Sequence, residues 1–166
     1  RERRPSRQGR ATFIYLAERF GPMPDNDLLE KVTRARAEQA RDEIADVYPQ
    51  ATVRYETAGG RGVVTVLDDR FVVSKEFVET DDSLRENRMG EYARVLMGRS
   101  RLVLVVPRDR AAKVRLKLLD LNRHWLFYYQ LHCYDEDGKI IHVDRRTWRK
   151  LMGLPPERQE RAPEIV

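Results

Sequence analysis

Five consecutive apolar residues, Leu102 to Val106, stand immediately before Pro107. A strand that is apolar at every position is buried on both faces, as happens inside a sheet that is covered on both sides. Proline cannot continue the ladder of backbone hydrogen bonds, so it ends the strand. The pattern predicts a central strand over residues 102–106, lying beside the strand that starts near Arg70.

The other elements follow from helical or alternating spacing of apolar residues. Leu29, Val32, Ala40 and Ile44 recur at helical spacing and predict a helix over residues 25–48. Ser83 and Glu86 have the spacing of a capping box and predict a helix over 83–97. The remaining predicted strands span 52–57, 63–67, 70–79, 125–134 and 139–143, and the remaining helices span 110–122 and 144–153, with a hairpin turn at 135–138.

This order of elements predicts one α/β (α+β) fold. Residues 25–122 form an αβββαβ core followed by a helix, with a mixed central sheet and helices on both of its faces. Residues 123–153 add a C-terminal hairpin and a basic helix. Residues 1–24 are predicted as a basic arm with a short helix over 11–20, and residues 154–166 as an extended tail.

Composition points to a polyanionic partner. The 166 residues contain 32 Lys+Arg against 27 Asp+Glu, a formal net charge of +5, and arginine suits phosphate recognition. A single cysteine, Cys133, excludes an internal disulfide and is interpreted as a buried thiol. No apolar segment approaches the ~20 residues of a membrane span, so we expect a cytoplasmic protein without a membrane partner.

The succession of elements resembles the core of the PD-(D/E)XK nuclease superfamily. That family holds Mg²⁺ or Mn²⁺ with an Asp at the end of the second strand and the acid of an E-x-K motif on the third. The resemblance assigns the metal-binding Asp to Asp68 or Asp69, the lysine to Lys75 and an accessory helix carboxylate to Glu43. Val73 stands where the acid of the motif belongs, which implies a binding module without catalysis and without a cofactor.

Three functions therefore stay open. The first is a nucleic-acid-binding module, with duplex DNA as the expected partner. The second is a metal-dependent nuclease that uses Asp68 or Asp69, Lys75 and Glu43. The third is a scaffold or a homodimer formed through residues 125–143, whose aromatic side chains suit a protein contact.

Two further resemblances bear on the same stretch. Residues 91–107 resemble replication-relaxation-type plasmid proteins, which implies a plasmid or mobile-element setting. The helix, three strands and helix over residues 25–97 are also the order of a double-stranded-RNA-binding domain, but the acidic Asp81-Asp82 stands where that family is rich in lysine. We rank this RNA-binding fold below the nuclease-like one.

Basic residues concentrate in two helices, and we predict that both contact nucleic acid. Trp148 is predicted to be an aromatic platform among the basic residues of the second helix. His132 and His142 are predicted to face each other across the hairpin as a polar pair rather than a zinc site. The predicted nucleic-acid contacts are Arg85, Arg88 and Arg94 on the first helix, and Arg145, Arg146, Trp148, Arg149 and Lys150 on the second.

Overall fold

The computed structural model describes residues 24–125 and 129–155. The predicted basic arm, the helix over residues 11–20 and the tail beyond Pro155 lie outside these residues. The helices are α1 (Pro24–Ile44), α2 (Met89–Met97), α3 (Ala111–Trp125) and α4 (Arg145–Leu151), with short 3₁₀ turns at Ser83–Arg85 and Arg108–Arg110. The strands are β1 (Thr52–Ala58), β2 (Arg61–Asp68), β3 (Phe71–Val78), β4 (Arg101–Pro107), β5 (Tyr129–Tyr134) and β6 (Ile140–His142).

All six strands form one mixed sheet in sequential order, β1 to β6. Strands β3, β4 and β5 are parallel, whereas β1–β2, β2–β3 and β5–β6 pair antiparallel. The predicted α/β class and mixed sheet are confirmed. Strand β4 lies inside the sheet between β3 and β5, as the apolar run predicts.

Strand β4 contributes to the core on both sides of the sheet because all five residues from Leu102 to Val106 are fully buried. Val103 and Val105 pack towards α1. Leu102, Leu104 and Val106 pack towards α2 and α3. We call these two sides the α1 face and the α2/α3 face.

Among the helices of residues 24–125 and 129–155, α1 is the one that packs on the α1 face, and it lies close to β2. Leu29 and Val32 pack over the middle of the sheet, and Ala40 and Ile44 pack over Val64 and Val66 of β2. A Cβ atom added to Gly62 would lie 2.9 Å from Cβ of Thr33 and closer still to its hydroxyl oxygen. Only glycine permits this approach of helix and strand.

Helices α2 and α3 both lie on the opposite face, because the parallel β3–β4 and β4–β5 connections cross the sheet with the same hand. Tyr92 and Leu96 of α2 share one buried cluster with Leu118 of α3. Trp148 and Leu151 of α4 pack against the same cluster. Three helices therefore form one outer layer.

The predicted hairpins are confirmed. Gly59 and Gly60 both adopt positive φ, 59° and 73°, in the turn between β1 and β2, so this glycine-rich segment is a hairpin turn. In the second hairpin Gly138 has φ 78°, and Asp135 Oδ1 accepts hydrogen bonds from the backbone of Asp137 and Lys139.

Three predicted boundaries are wrong. Helix α1 ends at Ile44 rather than at residue 48. The helix predicted from residue 83 begins at Met89, and only a 3₁₀ turn forms at Ser83–Arg85. Ser83 does not cap a helix with Glu86, because its hydroxyl donates to the buried carboxylate of Glu79 at 2.6 Å. The strand predicted from residue 125 begins at Tyr129, because α3 continues to Trp125.

Within residues 24–125 and 129–155, no helix combines the length and the apolar character needed to cross a bilayer.

Candidate functional site

A buried arginine of α1 joins two carboxylates on the α1 face. Nε of Arg36 donates to Glu76 of β3 at 2.6 Å, and its two terminal nitrogens donate to both oxygens of Glu43 at 2.7 and 2.9 Å. The side chains of Arg36 and Glu76 are completely buried. Glu43 thus meets a carboxylate of the third strand, as the nuclease resemblance implies, but that carboxylate is Glu76 and a guanidinium bridges the two.

A second arginine, Arg101 at the start of β4, closes this cluster. It lies 3.1 Å from Glu76 and 3.2 Å from Glu43, and the hydroxyl of Ser74 donates to Glu76 at 3.0 Å. Two cations therefore balance two anions, and all four carboxylate oxygens accept hydrogen bonds or ion pairs. Such a cluster is structural, since each of its carboxylates is already paired with two guanidinium groups.

The charges of this cluster stabilise one another. Burial alone would lower the pKa of Arg36, but its hydrogen bonds to Glu43 and Glu76 raise that pKa above the ordinary value. Burial would likewise raise the pKa of Glu43, but Arg36 outweighs it and holds that pKa below its usual range. Both groups stay charged at neutral pH.

The predicted lysine lies on the wrong face for this cluster. A β-bulge follows Val66, since Val66 pairs with Ser74 and Leu67 pairs with Val72. The bulge leaves Val73 unpaired and packed with the α1 side of the core. Lys75 pairs with Leu102 and so lies on the α2/α3 face. Positions 73 and 75 therefore cannot act as the two ends of an E-x-K motif.

The predicted catalytic residues do not converge. Asp68 ends β2 and pairs with Phe71, whereas Lys75 lies four residues farther along β3, about 13 Å at the ordinary strand rise. Asp69 is exposed and adopts φ 53° in the tight turn. Across the described ranges, no group of three or more His, Cys, Asp or Glu residues is placed to hold a metal ion. A metal site at Asp68 and Asp69 stays a prediction.

The predicted histidine pair is confirmed. His132 of β5 lies opposite His142 of β6, and the ring centroids are 4.9 Å apart in an edge-to-face arrangement. Burial, together with the nearby charge of Arg36, lowers the pKa of His132 to about 4. Nε2 of His132 is buried without a hydrogen-bond partner. His132 is therefore neutral at pH 7, and the positive charge of Arg36 disfavours a bound cation beside it.

A second buried carboxylate, which the sequence analysis missed, lies on the α2/α3 face. Glu79 accepts hydrogen bonds from Arg61 and Tyr92, both at 2.7 Å, in addition to the one from Ser83. Arg61 also donates to Glu91 at 2.8 Å. Burial raises the pKa of Tyr92, and the charge of Glu79 raises it further. This cluster fixes the start of α2 to the end of β3.

The basic residues predicted on the first helix divide into two kinds. Arg88 is bound internally, because it lies 2.8 Å from Glu86 and 3.6 Å from Glu91 and its side chain is only 18% exposed. Arg85 is 80% exposed and lies 3.3 Å from the equally exposed Asp82, a pair worth little in water. Arg94 is exposed on α2. The prediction that Arg88 contacts phosphate is therefore not supported by its surroundings.

The second basic helix, α4, also needs a correction. Trp148 packs against the core, its Nε1 is buried, and the guanidinium of Arg115 lies 5.5 Å from the ring centroid. Trp148 is thus a packing residue and not an exposed aromatic platform. Arg149 donates to the carbonyl oxygen of Pro155 at 2.7 Å. The side chains at the surface of α4 are Arg145, Arg146 and Lys150.

Charge is distributed unequally between the two faces. Helix α1 contains six acidic and four basic residues. On the other face, α3 contains four Lys or Arg residues and one Asp, and α4 contains four Lys or Arg residues and no acid. Among the described helices, α3 and α4 therefore carry the largest excess of basic over acidic residues.

A cleft of about 330 Å³ opens between the start of α2 and helix α3. Its floor is formed by buried apolar side chains of α3, Val114 and Leu118, and its walls by the half-buried Leu84 and Met89. Basic and polar residues line the remainder of the cleft. These are Asp81, Arg85, Glu86, Asn87, Arg88, Tyr92, Arg110, Lys113 and Lys117.

The five basic residues that line this cleft outnumber its two acidic residues, and both acids are already paired with an arginine. Asp81 binds Arg110 at 2.7 Å, and Glu86 is held by Arg88. Lys113 and Lys117 are exposed one helical turn apart and make no ion pair or hydrogen bond within the part of the chain that the structure describes. Their sequence pattern does not distinguish these two lysines from the other exposed residues of α3.

The chain was compared with family models, curated proteins and solved structures, and none of the three comparisons gave a match.

Proposed function

We propose that this chain is a nucleic-acid-binding module without catalytic activity, and that the face formed by α3 and α4 contacts the phosphate backbone, with duplex DNA as the partner. The observation that carries the proposal is the segregation of charge, with eight basic residues against one acid on these two helices. Concentration of Lys and Arg on one face is the electrostatic footprint of backbone binding.

We propose that the chain lacks catalytic activity because of the ion pairs on the α1 face. Arg36 and Arg101 occupy the oxygens of Glu43 and Glu76, the carboxylates that lie nearest to a nuclease-like arrangement. Strand β4 lies inside the sheet and runs parallel to β3, and this arrangement supports the proposed kinship with the PD-(D/E)XK fold. On that reading, guanidinium groups have taken the place that a divalent ion holds in the active family members.

The alternative of a metal-dependent nuclease finds no support in this geometry, because Lys75 lies on the face opposite Glu43 and Asp68 lies far along the sheet from Lys75. The alternative of a scaffold or homodimer through residues 125–143 stays a prediction. Residues 126–128 lie outside the described ranges, and β6 forms an edge of the sheet only three residues long.

The test measures binding of a fluorescein-labelled duplex of about 20 base pairs by anisotropy, at salt concentrations from about 50 to 200 mM. Each phosphate contact contributes about −0.9 to the slope of log K against log salt. The variant Lys113→Ala/Lys117→Ala is therefore expected to flatten the slope by about 2 and to weaken binding at every salt concentration.

The matched control is Arg34→Ala/Arg41→Ala, which removes two exposed cations from α1 and lowers the net charge equally. It is expected to leave the slope near that of the wild type. Equal losses in the two double variants, or no binding by the wild type at about 50 mM salt, would refute the proposal.

A further inference from the structure

The cleft between α2 and α3 combines an apolar interior with a cationic mouth. Val114 and Leu118 are buried at its floor, and Leu84 and Met89 are half-buried at its walls. Lys113 and Lys117 are exposed at its rim. A ligand that matches this cleft has a compact apolar part and an adjacent negative charge.

We infer that this cleft accepts one unpaired nucleotide of the bound nucleic acid, with the base against the half-buried Leu84 and Met89 and its phosphates at the two lysines. The inference rests on the proposed function and names the ligand more closely, as a duplex that carries an unpaired end or flap. The volume of about 330 Å³ is at the lower end of the range for small-molecule sites, which suits a single nucleotide.

The polar groups at the cleft fit this ligand. Lys113 and Lys117 are four residues apart in α3, so their side chains project from neighbouring positions of one helix face. Asn87 accepts a hydrogen bond from the backbone of Met89 through Oδ1. Its amide nitrogen makes no hydrogen bond within residues 24–125 and 129–155 and is left as a donor for the polar edge of a base.

The shape of the cleft distinguishes an unpaired nucleotide from a continuous duplex. A stacked base pair hides both flat faces of its bases, whereas an unpaired base exposes a face that apolar and aromatic side chains can cover. Helix α3 lines the cleft with Lys113 and also contacts α4. The duplex portion can therefore lie along α3 and α4 while its unpaired end enters the cleft.

The experiment compares a blunt labelled duplex with the same duplex carrying a short thymidine overhang, on either the 5′ or the 3′ end, in anisotropy titrations at one salt concentration. Burial of one base contributes at least about fivefold to affinity. The wild type is expected to bind one of the overhang duplexes about fivefold or more tightly than the blunt duplex.

Two variants locate the effect. Leu84→Trp fills the cleft without changing charge and is expected to abolish the preference while leaving affinity for the blunt duplex unchanged. Leu154→Trp adds the same bulk at a 41% exposed position outside the cleft and should retain the preference. Thermal melts of both variants verify folding, and Met89→Trp replaces Leu84→Trp if the latter melts early.

The outcomes distinguish the unpaired-nucleotide site in the cleft from backbone binding by α3 and α4. Equal affinity of the wild type for blunt and overhang duplexes, or a preference that survives in a folded cleft-filling variant, would overturn the unpaired-nucleotide site while leaving backbone binding by α3 and α4 intact. Failure to bind any of these duplexes at low salt would overturn the proposed function itself, and the cleft inference with it.

Discussion

Replacing Arg36 with methionine removes the central cation of the cluster on the α1 face. Methionine has a similar length and no charge, so the volume is largely kept. The change leaves Glu76 fully buried with Arg101 and Ser74 as its remaining partners, and it deprives Glu43 of two hydrogen bonds. The variant thus isolates the electrostatic contribution of one guanidinium.

The contacts of Arg36 determine how much stability the variant Arg36→Met loses. Arg36 makes four hydrogen bonds to carboxylate oxygens, two of them to a carboxylate that is fully buried. Breaking a buried ion pair by removing one partner costs about 3–5 kcal/mol, because the other charge stays buried, and Arg101 and Ser74 compensate Glu76 only in part. With an m-value of about 2 kcal/mol per M of urea, the midpoint of unfolding should fall by about 2 M.

The assay is equilibrium unfolding in urea at pH 7, followed by far-UV circular dichroism. The double variant Arg36→Met/Glu76→Met is the critical comparison, since replacing a whole buried ion pair by apolar residues is often neutral. It leaves Glu43 with Arg101 at 3.2 Å and should recover most of the lost free energy of unfolding.

Two results would refute this reasoning. A loss below about 1 kcal/mol in Arg36→Met would show that Glu76 does not depend on it. A double variant that is no more stable than the single variant would show that packing, and not an uncompensated charge, explains the loss. If Arg36→Met does not fold, Glu76→Gln takes its place, with an expected loss of about 1–3 kcal/mol.

The remaining predictions concern pH, close packing and the second buried carboxylate. The folded pKa of His132, about 4, lies below its unfolded value near 6.5, so stability is complete above pH 6.5 and is lost as pH falls towards 4. Urea titrations should show that the free energy of unfolding of the wild type falls by about 2 kcal/mol between pH 7 and pH 5. This fall should be absent in His132→Gln. Gly62→Ala should destabilise by about 1–3 kcal/mol because its Cβ would overlap Thr33, and Gly62→Ala/Thr33→Ala should recover part of the loss in thermal melts. Tyr92→Phe should cost about 1–3 kcal/mol in urea titrations because Glu79 loses a hydrogen bond in a buried site; an unchanged midpoint would contradict that role.

Much of the fold could be predicted because its main features depend on local patterns. The apolar run before Pro107 identified the interior strand, and the glycines at positions 59, 60 and 138 identified the two hairpin turns. The start of α2 could not be predicted in the same way. Ser83 satisfies a capping-box pattern, yet its hydroxyl binds Glu79, and no local rule reveals that a carboxylate four residues earlier is buried.

The candidate site was harder to predict because it depends on which face each side chain occupies. Strict alternation along the third strand places residues 73 and 75 together, but the β-bulge beside Val66 separates them. The sequence predicts Glu76 as an ordinary charged strand residue. Only the packing of α1 on the sheet brings Arg36 into contact with it. The i, i+4 spacing of Lys113 and Lys117 was visible in the sequence, whereas the cleft beneath them forms only when α2 packs against α3.

The interior strand β4 has a consequence for the unfolded chain. A short apolar segment of high β-propensity and no charge is a template for intermolecular aggregation whenever it is exposed. Its parallel pairing with β3 and β5 requires a crossover connection on each side, and such non-local pairing forms slowly, which prolongs exposure of the segment during folding. Arg101 precedes it, and Pro107 and Arg108 follow it. These flanking residues act as gatekeepers, and replacing Arg101 would remove one of them together with a partner of Glu76.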